Sequence, residues 1–423
     1  RKTDAVVVLG GKNIVESDKT LRSNWGKETI LSKEEMKLYH YDYRANLYRG
    51  VENIDHDGWN FNEDFTTSSQ YKDIIEYAVE NGGLLVCSRA GTGKSYMVQQ
   101  GVKENLLDDD KRCRLAFTNK ASRNINGSTI HSAISINADT EKASVKMVEA
   151  YKGKKIIIVD EVSMISKQLW TYLILLKRVS GATFILLGDY RQLPAVENVE
   201  HDYFDSSIMR YLTNSNRIEL TERQRYDKQL WDWLDDFYEN GIVGDALQKI
   251  KSSEMDMNAY NICYYNKTRE RINMKYMIHH KNNNAMLLPH EKKNCDDRAD
   301  SVYIYEGLPV MAIVNKIKAK KGNENDTLFC NSDTMKVIKY SEDKITFKLD
   351  IPDDNGNDIL TIETKDFHKS FVANYCSTTH KNQGATIDKN IQLWDWSKMK
   401  EDRRIGYTAV SRAKKIQQVK IVV

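Results

Sequence analysis

The chain has 423 residues, 40% of them hydrophobic and 29% charged, with a formal net charge of +3, which is ordinary for a soluble globular protein of about two to four domains. So small a net charge neither demands nor excludes nucleic acid, because acidic surface can offset a basic groove. Six cysteines, none of them two or four residues apart, speak against a zinc ribbon and against a secreted disulfide framework, so a reducing compartment, cytoplasm or nucleus, is expected.

No apolar run is long enough to predict a membrane-spanning helix, and no signal peptide is visible. The first residue is Arg1, so a fragment or processed product is expected, monomeric in this form. Residues 1–65 carry one apolar run, Ala5 to Gly10, and no motif. From Gln70 onward Ile74, Ile75, Ala78 and Val79 recur at helical spacing until Asn81-Gly82-Gly83. Leu84-Leu85-Val86-Cys87 then reads as a buried strand, followed by a Gly-rich turn and a helix containing Met97, Val98 and Val102. Leu115 to Phe117, Ile156 to Val159 and Phe184 to Leu187 read as further core strands of a parallel sheet, each with polar residues at its C-terminal end. Ligands bind at that edge in open α/β sheets. A second α/β region is expected over 211–315 and 370–423. Between its parts, Met335 to Ile338 and Lys344 to Leu349 alternate as strands do, and Asp353 to Asn357 form a turn cluster, which predicts a small β-domain over 316–369.

The turn after the first core strand carries the chemistry. Ala90-Gly91-Thr92-Gly93-Lys94-Ser95 matches the phosphate-binding loop, in which glycines let backbone N–H groups wrap phosphate oxygens and the following helix presents its positive end. Ser88 stands where that pattern has its first glycine. Lys94 is expected on the β- and γ-phosphates of ATP and Ser95 on Mg2+. Asp160-Glu161 ends a core strand. Alone, such a pair is a solvated strand end; beside a phosphate loop, Asp160 fits as the metal partner and Glu161 as the base for the attacking water.

These runs resemble, in order, the motifs of the superfamily 1 helicases, and most of all the 5′→3′ branch of RecD, Dda and Pif-type enzymes, over about residues 66–423. The resemblance implies two RecA-like parallel-sheet domains, 66–210 and 211–315 plus 370–423, with an SH3-like insertion over 316–369 and a short pin within about 133–152. Gly188 to Val196 is similar to the motif in which Gln192 would sense the γ-phosphate. Thr118-Asn119-Lys120 and Thr129, His131 and Ser132 resemble single-strand contacts, made by small polar groups that position a backbone. Leu220 to Arg225 resembles the run supplying an arginine finger, and spacing from Leu220 favours Arg225 over Arg223. Tyr375 to Thr386 implies strand contacts from Thr379, His380 and Lys381, with Gln383 and Gly384 facing the nucleotide. Gly406 to Lys414 implies Arg412 as a second arginine finger. Gln70 matches a glutamine that hydrogen-bonds adenine. The run from Cys263 to Asn273 and Gly307 to Met311 resemble family segments that serve packing.

The function implied is an ATP-dependent DNA helicase moving on single-stranded DNA and opening forked or tailed duplex, with replication or repair proteins as partners. A DNA-stimulated translocase that does not unwind, and a viral-type RNA helicase, are the alternatives.

Overall fold

The computed structural model describes residues 58–134, 150–194, 206–241, 247–289, 301–319, 325–352 and 356–423. The expected pin falls mostly outside them. Two compact units divide the chain, the first running to Glu222 and the second from Arg223, except that Thr118–Ala121 and Arg191–Leu193 cluster with the second.

The first unit is built on a seven-stranded sheet in the order β1-β7-β2-β6-β5-β3-β4. Its strands are β1 (Asn60–Phe61), β2 (Gly83–Ser88), β3 (Arg114–Ala116), β4 (Ser128–Thr129), β5 (Ile156–Asp160), β6 (Thr183–Gly188) and β7 (Asn216–Leu220). Every pairing is parallel. The four central strands are the apolar runs read from the sequence. β2 and β5 are buried at every position, as strands covered on both faces must be. Leu85, Ile157, Val159, Phe184 and Leu186 pack with Leu169, Trp170 and Leu173 of helix Lys167–Ser180. Helix Tyr71–Glu80 buries Ile74, Ile75 and Ala78, while Val79 is exposed.

Two boundaries move. The first unit does not end at 210, because β7 completes its sheet by pairing with β2, Val86 opposite Ile218. The end of the N-terminal extension joins it too, through Asn60 opposite Asn216.

The second unit holds a five-stranded parallel sheet in the order β19-β9-β20-β21-β8. It also holds a five-stranded antiparallel sheet in the order β17-β16-β15-β12-β18. The parallel strands are β8 (Gln248–Ile250), β9 (Tyr260–Cys263), β19 (Cys376–Thr378), β20 (Ile391–Leu393) and β21 (Val419–Val422). The antiparallel sheet is wider than 316–369. It adds β12 (Pro309–Ala312) and β18 (Phe371–Ala373) to β15 (Thr334–Tyr340), β16 (Lys344–Leu349) and β17 (Ile359–Glu363), because the chain entering and the chain leaving pair with each other. Phe347, Phe367 and Phe371 fill its core with ring centroids 5.0–6.4 Å apart. Part of the expected 353–357 turn lies outside the described residues. Among the described residues no helix is long and apolar enough to cross a membrane.

Candidate functional site

β2 ends in the loop that delivers Lys94 to the start of helix Lys94–Lys103. Gly91 and Gly93 take φ of 83° and 92°, the left-handed region where a side chain would be strained. The Lys94 ammonium donates to Ser88 O (2.9 Å), Arg89 O (3.0 Å) and Ser88 Oγ (3.2 Å). Ser88 is therefore part of the loop's construction. Thr92 Oγ1 donates to Arg89 O at 3.1 Å, so its 2.7 Å contact with Ser88 Oγ must receive the serine proton. Ser88 is left with lone pairs for Lys94. Ala90 and Thr92 are buried within the turn.

Asp160 closes β5 beside this loop. Its Oδ2 accepts from Ser95 Oγ at 3.2 Å, and its Oδ1 accepts from the Glu161 N–H at 2.8 Å. Burial raises the Asp160 carboxyl above its ordinary range, with the Glu161 amide, Lys94 and Ser95 opposing that shift. Glu161 itself holds φ 54°, ψ 47°. A left-handed glutamate is uncommon and strained, a condition that persists where function demands it. A hydroxyl and a carboxylate this close form an oxygen donor pair suited to Mg2+.

Gln70 lies in the same unit, but its amide is spent locally. Oε1 accepts from Thr66 N (3.0 Å) and Thr67 N (3.2 Å), and Nε2 donates to Asp64 O at 3.0 Å. Together with Thr67 it forms a capping box at the turn leading into helix Tyr71–Glu80. Thr129 Oγ1 likewise accepts from Ser132 N at 3.2 Å, capping helix Ile130–Ala133, and His131 stands edge-on to Phe117 at 6.0 Å. Ser132 is exposed.

Gln192, expected in the first domain, clusters with the second unit and is 4% exposed. Its neighbour Arg191 pairs with Asp235 (2.6 Å) and Glu239 (2.9 Å) on helix Lys228–Asn240. These contacts explain why the 191–193 segment groups there.

Arg412 follows helix Arg403–Val410 and is 1% exposed. Its Nη2 donates to Ser411 Oγ at 2.7 Å and its Nη1 to Asn382 O at 3.3 Å. Gly406 lets this helix approach closely, since a Cβ there would sit 2.5 Å from the Phe237 ring. Arg225 is exposed, its guanidinium 5.7 Å from the centre of the Tyr226 ring.

β19 carries the run Thr379-His380-Lys381 at its C-terminal end. The Thr379 hydroxyl and the Gln383 carbonyl oxygen are buried and make no hydrogen bond among the described residues. Gly384 follows with φ 74°, and His380 is exposed. Lys381 Nζ donates to Asn331 Oδ1 at 2.9 Å; Asn331 N and Asn119 Nδ2 donate to Asn315 Oδ1 at 2.7 and 3.2 Å. Asn119 and Lys381 thus meet in one polar cluster through two asparagines that the sequence reading missed. Thr118 Oγ1 accepts from Ala121 N at 3.1 Å. Half-buried Lys120 has its ammonium pKa lowered by burial first and by Arg412 second.

Asn273 is the other residue whose task was not read beyond packing. Buried beside β19, it donates to Cys376 O (3.0 Å) and accepts from Tyr375 N and Cys376 N (2.9 Å each). It acts as a partner for that strand. Replacing it with alanine is expected to cost about 2–3 kcal/mol, because three backbone groups, two of them in buried bonds, lose their partner at once. Urea unfolding of the full chain measures this, and an unchanged midpoint would refute it.

Residues 71–198 match the family model described as an AAA domain. The chain is similar to the ATP-dependent DNA helicase Pif1 of Bdellovibrio bacteriovorus, with 23% identity covering 79% of this chain and 82% of that one. It is also similar to Pif1 of Campylobacter jejuni, with 24% identity over 82% and 90% of the two chains. Among solved structures, Pif1 helicase from Candida albicans superposes with a TM-score of 0.60 at 19% identity, covering 85% of this chain and 94% of that one. Bacteroides Pif1 bound to ssDNA gives 0.60 at 20% identity, covering 85% and 92%.

Proposed function

We infer that this chain is an ATP-dependent DNA helicase of superfamily 1 and of the Pif1 type, a reading supported by its similarity to Pif1 helicases. The observation that carries the reading is the joining of Lys94, Ser95, Asp160 and Glu161 at the C-terminal ends of two parallel strands. Lys94 and the loop amides bind the phosphates of ATP. Ser95 and Asp160 would hold Mg2+, which would neutralise phosphate charge. Glu161 orients the attacking water and takes its proton. Arg225 and Arg412 stabilise charge developing on the transferred phosphoryl group, and Gln192 senses the γ-phosphate.

Single-stranded DNA is the track and forked or tailed duplex the substrate, entered 5′→3′. Thr118, Asn119, Lys120, Thr129, His131, Ser132, Thr379, His380 and Lys381 are the proposed strand contacts. Such contacts would hold phosphate without reading sequence. Gln383 and Gly384 face the nucleotide, and the antiparallel sheet stands for the SH3-like insertion. Gln70 recognises adenine only by releasing the 64–67 loop. Replication or repair proteins are the expected partners, in a reducing compartment that suits five free cysteines among the described residues.

Purified protein should hydrolyse ATP slowly alone and at least about tenfold faster with single-stranded DNA. It should also separate a duplex carrying a 5′ single-stranded tail. Stimulation without strand separation would leave a translocase, and stimulation by RNA alone would move the substrate class.

A further inference from the structure

The two arginines proposed to act on the phosphoryl group lie far apart in sequence and differ in setting. Arg225 is exposed, whereas Arg412 is 1% exposed. Charge stabilisation by two groups works only if both are held in fixed geometry.

One side chain touches the supports of both. Tyr226 is 5% exposed. The Arg225 guanidinium lies 5.7 Å from the centre of its ring. Its hydroxyl donates to Ser411 O at 3.0 Å, and that bond is buried. Ser411 in turn holds Arg412, accepting from Nη2 through Oγ at 2.7 Å. The Ser411 hydroxyl proton is committed to Thr408 O at 3.0 Å, which leaves its lone pairs to the arginine. The next residue repeats the tie in the backbone, Asp227 N donating to Lys414 O at 2.9 Å.

We propose that Tyr226 is a positioning residue that sets Arg225 and Arg412 relative to each other, its ring carrying one guanidinium and its hydroxyl fixing the backbone that orients the other. The proposal rests on the reading of both arginines given above. Tyr226 touches no reacting atom and acts through its two neighbours.

Tyr226→Phe keeps the ring and removes only the hydroxyl. It is expected to lower kcat for DNA-stimulated ATP hydrolysis on the order of tenfold while KM for ATP stays within about twofold, since the loss is in transition-state contacts. Ser411→Ala breaks the next link without touching Tyr226 and should reproduce that split, so a folding defect in one variant does not decide the matter. Combined with Arg412→Lys, Tyr226→Phe should cost little more than Arg412→Lys alone, because both act on one contact. An unchanged kcat in Tyr226→Phe and Ser411→Ala, or a double variant that falls by the full product of the single losses, overturns the proposal. A wild-type chain without DNA-stimulated ATPase activity would instead remove the function on which it rests.

Discussion

Lys94→Ala is expected to lower ATP hydrolysis by about 10²–10³-fold or more, the scale of losing one preorganised charge at a transferring phosphoryl group. The ammonium sits in a cage of two backbone carbonyls and the Ser88 hydroxyl, at 2.9–3.2 Å. Those acceptors hold the ammonium against the loop itself. Removing it also takes that donor from the Ser88 and Arg89 carbonyls, at little cost in stability because these bonds are only partly buried and water can replace it. Lys94→Met fills the volume without the charge, so it controls for the space that alanine would leave. Both variants should keep the unfolding transition of a chain whose β2 is buried between β6 and β7, and both should lose hydrolysis. Activity within a few-fold of wild type in either one would remove the nucleotide reading altogether.

The central strands were legible because strands covered on both faces are near-continuous apolar runs, as β2, β5 and β6 are between their polar ends at Ser88, Asp160 and Thr183. β7 was not. Asn216, Ile218 and Leu220 are buried while Arg217 and Glu219 are partly exposed, so it shows alternation rather than an apolar run. Its position next to β2 depends on a non-local pairing that no local pattern encodes. β1, at two residues, is too short to carry a pattern. The phosphate loop and the acidic pair were legible because backbone geometry dictates residue type at adjacent positions. The uses of Ser88, Thr129 and Gln70 were not legible, because each hydroxyl or amide is assigned by which acceptors and donors happen to surround it. Thr129 shows the limit well, since the helix start that its side chain caps was not read from the sequence. The grouping of Thr118–Ala121 and Arg191–Leu193 with the second unit likewise follows from tertiary contacts such as Arg191 with Asp235.

Glu161→Gln is expected to leave ATP binding intact and lower hydrolysis by about 10²–10⁴-fold, the range for losing a positioned general base. The substitution keeps size and hydrogen-bonding reach and removes only basicity. What fixes the residue is its backbone, whose N–H donates to Asp160 Oδ1 at 2.8 Å and which is held at φ 54°. That conformation costs about 1–2 kcal/mol for a residue with a Cβ, and glycine would adopt it without strain. The chain nevertheless keeps a glutamate there. If stability alone had set this position, Glu161→Gly would unfold at a lower denaturant concentration and leave hydrolysis by the folded protein unchanged. If the strain is retained for chemistry, Glu161→Gly should unfold at no lower a denaturant concentration than wild type while losing hydrolysis as fully as Glu161→Gln. Nucleotide-binding titrations, single-turnover hydrolysis and urea unfolding on the same three proteins decide between these. Full hydrolysis by the glycine variant would move the base to another residue.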